Sequence, residues 1–155
     1  MNANNDISEL DFIEAPATMD SWELLMDYVA DQSSCHLKDP KKSYGMRLAA
    51  EEILSNMIRE TQDLILGGAS IVIRISRRVI ESSSCVWFEL TIADNGPPFD
   101  PGLDSKRDIP KNVPINQRPI GGIGLFLVQQ SVDSASYCWH DNHNVYKLGT
   151  RLPVA

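Results

Sequence analysis

The stretch between Asp39-Pro40 and Gly67-Gly68 constrains this chain most, because it reads as one long helix on which an apolar stripe and a polar line touch. Asp39 is a helix-capping residue, Pro40 suits the first helical position, and paired glycines end a helix. Between these marks Ala50, Ile53, Leu54, Met57 and Ile58 recur at the spacing of one buried face. Ala49, Glu52, Asn56 and Arg59 lie along a neighbouring line. An ordinary surface helix carries its charges opposite the apolar stripe. Here a carboxylate and an amide border the core, which predicts a helix over 40–66 with polar groups at a buried margin.

The rest of the chain alternates around that helix. Residues 1–8 are polar and read as a flexible N-terminus, with the remaining chain, 9–155, forming one domain. Leu10, Phe12 and Ile13 predict a short strand ending at Pro16. Thr18 or Asp20 caps a helix in which Trp22, Leu25, Met26 and Val29 share a face, and Ser33 to Leu37 reads as a connection. Ala69 to Ile80 and Val86 to Ala93 predict an antiparallel hairpin, with Ile71, Ile73 and Ile75 on one face. From Pro97 to Pro119 six prolines lie among polar residues and glycine, the composition of a functional lid at about 97–120. Leu125, Leu127, Val128 and Val132 then predict a helix, and 136–140 with 144–152 a closing hairpin.

Charge and composition narrow the partners. With 14 basic against 21 acidic residues the net charge is −7, which disfavours direct nucleic-acid binding or an anionic membrane surface. No apolar run approaches the roughly 20 residues of a membrane span, and the N-terminus lacks a basic start before an apolar core. Proteins and small ligands are the expected partners and the cytoplasm the expected location. Cys35, Cys85 and Cys138 form no CxxC pair, so they read as small buried apolar residues and not as zinc ligands or a disulfide framework. His140 and His143 flank Asp141-Asn142 in what reads as a tight, solvated hairpin turn.

Three runs carry the chemistry. Glu52 and Asn56, four apart on a helix, stack on one face about 6 Å from each other. Asn56 can then offer a neutral oxygen to magnesium while Glu52 accepts a proton or orients an attacking hydroxyl. The same pair is also what a solvated polar stripe looks like. Asp94-Asn95-Gly96 ends a predicted strand, where Asp before Asn-Gly is common for turn geometry alone. A carboxylate there can equally accept from the exocyclic amine of adenine, with Gly96 letting the base approach and Pro97-Pro98-Phe99 stiffening the rim. Gly121-Gly122-Ile123-Gly124 opens an apolar helix, so free amides and the positive helix end converge where a phosphate can sit. Arg118, just before it, is either a phosphate contact or a surface arginine. The glycine run lacks the Gly-Lys-Ser/Thr ending of a P-loop and the feeding strand of a dinucleotide fingerprint.

In this order and at these separations the runs resemble the asparagine box and the two glycine boxes of the GHKL (Bergerat-fold) ATPases. The wording Asp94-Asn95-Gly96-Pro97-Pro98-Phe99-Asp100-Pro101 and Gly121-Gly122-Ile123-Gly124-Leu125-Phe126-Leu127-Val128 is most similar to the anti-sigma-factor serine/threonine-protein kinases of bacterial partner-switching systems. The resemblance implies an α+β two-layer sandwich: a mixed, mostly antiparallel sheet of about five strands covered on one face by about three helices. It implies ATP and magnesium as cofactors, with Glu52 as catalytic base, Asn56 as magnesium ligand, Asp94 as adenine reader, and Gly96, Gly121, Gly122 and Gly124 as nucleotide-loop residues. It further implies phosphoryl transfer to a STAS-domain anti-anti-sigma protein, sequestration of a sigma factor, and a homodimer. A nucleotide-dependent binding module of the same fold without efficient transfer is the alternative. Two positions depart from the pattern. Glu60 stands where the family often has His or Tyr, and Lys147 stands near the place of a last-strand Thr.

Overall fold

The computed structural model describes residues 11–66, 70–103 and 122–153. Five strands form one sheet in the order β1-β2-β3-β5-β4. They are β1 (Phe12–Pro16), β2 (Val72–Glu81), β3 (Cys85–Asp94), β4 (Ser134–His140) and β5 (His143–Pro153). Every pairing is antiparallel, where the resemblance allowed a mixed sheet. Three helices, α1 (Trp22–His36), α2 (Pro40–Leu66) and α3 (Gly122–Ser131), lie on one face. The α+β sandwich expected from the sequence is therefore the observed one.

Strand periodicity decides which residues meet the helices. Successive side chains of a strand point to opposite faces. Ile73 and Ile75 of β2, Phe88, Leu90 and Ile92 of β3, and Tyr146 and Leu148 of β5 are buried on the helix side. They pack with Leu25 and Val29 of α1, Met46, Ala50, Ile53, Leu54 and Met57 of α2, and Leu125 and Val128 of α3. The stripe Phe88, Leu90, Ile92 continues with the same period to Asp94. That carboxylate is consequently carried into the helix layer and is only 4% exposed.

Helix α2 starts where the sequence places it. The Asp39 carboxylate accepts from the Lys41 and Lys42 amides at 2.9 and 3.4 Å, occupying donors the helix leaves free. Helix α1 is longer than expected: 33–36 are its last turn, not a connection. Ser33 continues the Leu25, Val29 stripe and is fully buried, and the His36 ring stacks on Phe88 at 5.6 Å. Burial at that contact, reinforced by the Arg77 charge, holds the His36 pKa below its ordinary value.

Helices α2 and α3 run past each other antiparallel and touch at two glycines. A Cβ on Gly45 would collide with the carbonyl oxygen of Ser131, and a Cβ on Gly124 would lie 2.5 Å from Glu52 Oε2. Gly45 and Glu52 are seven residues apart, as are Gly124 and Ser131. The two contacts therefore sit two turns apart on both helices, about 10 Å at a rise of about 1.5 Å per residue. This spacing delivers the first turn of α3 to the side of Glu52.

The closing hairpin turns at Asp141 and Asn142, whose φ angles of 49° and 60° are the paired left-handed conformations of a two-residue turn. It starts earlier than expected, at Ser134; the first strand ends at Pro16 as expected, and Leu10 lies outside the described residues. The cysteines are the clear misreading. Cys35 and Cys138 are exposed, Cys85 is half-buried, and all three are free thiols. Cys138 pairs with Val145 on the sheet face that no described helix covers.

Candidate functional site

Asp94, Asn56, Met57, Glu60, Thr61, Pro97, Pro98, Phe99, Asn144 and Tyr146 line a cleft between α2 and the ends of β3 and β5. Its cavity volume is about 120 Å³, and it opens to solvent. Two of the three sequence runs thus meet here. The strand stripe brings Asp94 to the floor, and the helical line brings Asn56 to the wall.

The turn after β3 is built around the Asp94 carboxylate. Its Oδ1 accepts from the Gly96 amide and from Asn144 Nδ2, each at 2.9 Å. A Cβ on Gly96 would lie 3.1 Å from that same Oδ1, close enough to push the carboxylate by a few tenths of an ångström, while its 3.6 Å approach to Thr61 is ordinary contact. Asn95 turns the other way and accepts from the Val72 amide at 2.7 Å, tying the turn to β2. Thr61 bonds back to the Met57 carbonyl at 2.9 Å, which keeps its hydroxyl in the helix and turns its methyl to Gly96.

Asn144 was not legible as a site residue. It lies opposite Asp94 in the β3–β5 register. Its amide donates to Asp94 Oδ1 and to the Pro97 carbonyl at 2.8 Å, and accepts from the Phe99 amide at 2.9 Å and the Tyr137 hydroxyl at 2.6 Å. The sequence directs attention instead to the neighbourhood of Lys147. That residue pairs with Thr91 and is exposed on the uncovered sheet face. The missing signal was the register. Tyr146, next inward on β5, is buried beside the cleft, and burial together with the Asp94 charge pushes its phenol well above the ordinary value. It therefore stays neutral.

Glu52 lies one turn before Asn56 and outside the cleft lining, with its carboxylate against Gly124 of α3. Gly124, the last glycine of that run, thus lies beside the helical pair. Asn56 Oδ1 accepts from the Arg59 guanidinium at 2.6 Å. Gly122 is the first residue of α3. Gly121, Arg118 and most of the stretch read as a lid, 104–121, lie outside the described residues.

A match to the family model of the histidine kinase-like ATPase domain covers residues 15–148. That span includes every element from the end of β1 into β5, and with it all three runs. The chain belongs to the histidine kinase-like ATPase domain family. No individual curated protein matches it.

ATP is the ligand such a domain implies, and the described residues fit an adenine nucleotide. The cleft ends in a buried carboxylate, Gly96 leaves the space a Cβ would fill, and the first turn of α3 lies beside Glu52. The Asn56 oxygen accepts from Arg59, so a divalent cation held there would have to displace that bond. Among the described residues no group of three or more His, Cys, Asp or Glu side chains is arranged to hold a metal ion. Magnesium, which keeps waters and leans on substrate phosphates, requires no such group. No helix among the described residues is long and apolar enough to cross a membrane.

Proposed function

We propose that this histidine kinase-like ATPase domain is a protein serine/threonine kinase and anti-sigma factor, acting on a STAS-domain anti-anti-sigma protein. It would sequester a sigma factor and work in the cytoplasm as a homodimer. The observation that carries the kinase reading is the position of Glu52: no ion pair or hydrogen bond to its carboxylate is found among the described residues, it faces the first turn of α3, and it sits one turn from Asn56.

Asp94 would take the exocyclic amine of adenine, and Gly96 would let the base approach. Gly121, Gly122, Gly124 and Arg118 would hold the phosphates, and 97–120 would shield them from water. Asn56 would hold magnesium, which supplies neutralising charge on the phosphates when bound. Glu52 would take the proton from the attacking serine or threonine hydroxyl, and the positive end of α3 would stabilise charge on its neighbours. Catalysis of this kind is mainly positioning and electrostatics.

One observation favours a second reading, a binding module of the same fold without efficient transfer. Arg59 holds the oxygen assigned to magnesium. Incubation of the full chain with γ-labelled ATP, magnesium and a STAS-domain protein encoded beside it separates the two. Label on a serine or threonine of the STAS protein supports the kinase. ATP binding with no transfer to any STAS partner leaves the binding module.

A further inference from the structure

Asn144 has a side chain whose orientation leaves no alternative. The Phe99 amide can only donate and the Pro97 carbonyl can only accept, so the Asn144 oxygen must face the first and its NH2 the second. Flipping the amide would set donor against donor and acceptor against acceptor. Both of its N–H groups and both acceptor positions on its oxygen are then used, at 2.6 to 2.9 Å, in a residue only 3% exposed.

The consequence falls on Asp94. With the amide locked, one N–H always points at Asp94 Oδ1, which also receives the Gly96 amide. Those two donors fix the rotation of the carboxylate. No hydrogen bond to Oδ2 is found among the described residues, although Asp94 lines the cleft. The carboxylate therefore presents one aimed acceptor. A purine carrying an amino group at carbon 6 satisfies it, and one carrying an oxo group or hydrogen does not. The same amide ties Pro97 and Phe99, so the floor and the rim of the base pocket share one buttress.

We infer that Asn144 is the positioning residue for base selection: it holds Asp94 in the single orientation that reads the 6-amino group. This rests on the nucleotide site proposed above and adds to it a residue that does not touch the base.

The test compares binding of ATP with that of purine ribonucleoside triphosphate, which lacks only the 6-amino group, by calorimetry on the folded full chain. Wild type is expected to prefer ATP by about 10- to 100-fold, the value of a hydrogen bond to a charged acceptor. Asn144→Ala should bring the preference to within about threefold, with ATP weakened and the purine analogue little changed. Asn144→Asp is nearly isosteric and keeps the acceptors for Phe99 and Tyr137 but loses the donor to the Pro97 carbonyl, so its melting is measured at each pH alongside binding. It sets two carboxylates face to face, and such a pair takes up a proton more readily than either alone. Its ATP preference should be lost near pH 8 and return toward pH 5.5, while wild type stays flat across that range. Equal weakening of both nucleotides in the variants, or an unchanged preference with no pH dependence in Asn144→Asp, overturns the inference and leaves Asn144 a structural residue. Wild type that binds the two nucleotides equally overturns adenine reading by Asp94 itself.

Discussion

The two ends of the site are made in different ways. At the sheet end, Asp94 is fixed by named donors: the Gly96 amide and the Asn144 amide, both at 2.9 Å on one oxygen. At the helix end, Glu52 is placed by close backbone approach, with Gly45 against Ser131 and Gly124 against Glu52 itself. Hydrogen bonds orient an atom and so suit selection of a base. Glycine contacts set a distance and leave the carboxylate without a fixed donor among the described residues, which suits a proton acceptor. The contrast predicts that damage at the sheet end alters which nucleotide binds, and damage at the helix end alters what happens to it.

The largest effect should come from Glu52→Gln, which keeps shape and removes basicity. Phosphoryl transfer should fall by about 100-fold or more with ATP affinity near wild type, as measured by labelled transfer and calorimetry. Unchanged transfer would remove the base from the helix end. Next is Gly45→Val, whose side chain meets the Ser131 backbone and cannot be absorbed by a rotamer change. A loss of about 2–3 kcal/mol is expected, seen as a melting temperature lower by roughly 5–10 °C.

Asp94→Asn should cost about 10- to 100-fold in ATP affinity while the domain stays folded, because the amide oxygen can keep both donors that Oδ1 now holds but places an NH2 where an acceptor is needed. Gly124→Ala is subtler. Its Cβ would meet only the far end of the Glu52 side chain, so melting should shift by no more than about 2 °C while transfer falls several-fold. If stability and transfer fell together, the helix end would be a packing contact and nothing more.

The smallest effect belongs to the strap between the two helices' far ends and the sheet. The Arg151 amide, with help from the Thr150 hydroxyl and Lys42, holds the Asp133 carboxyl below its ordinary pKa. A depressed folded pKa stabilises above the unfolded value near 4 and is lost as pH falls through the folded one. Asp133 is half exposed, so Asp133→Asn should lower melting by only about 1–2 °C at pH 7, and the difference should shrink as pH falls below about 4. Neither end of the nucleotide site should notice.

Local patterns explain what could be read in advance. The period of β3 alone carries Asp94 inward after Phe88, Leu90 and Ile92, and the helical spacing alone stacks Glu52 on Asn56. Asp39-Pro40 fixed the start of α2 through a cap that forms as expected. Asn144 stayed hidden because its partner is 50 residues away in sequence, and only the β3–β5 register sets them opposite. The α2–α3 contact is equally non-local. The last turn of α1 was missed because two serines in sequence read as a loop, whereas Ser33 is small enough to extend a buried stripe. The cysteines failed for the converse reason: face periodicity outweighs the general tendency of cysteine to be buried.

Calorimetric titration of the folded chain with ATP and with GTP, each with magnesium, tests the central claim most directly: that the separated runs form one adenine-reading site. The account predicts a single saturable binding event for ATP, with GTP weaker by about tenfold or more. No heat with ATP, or equal affinity for the two nucleotides, would contradict it.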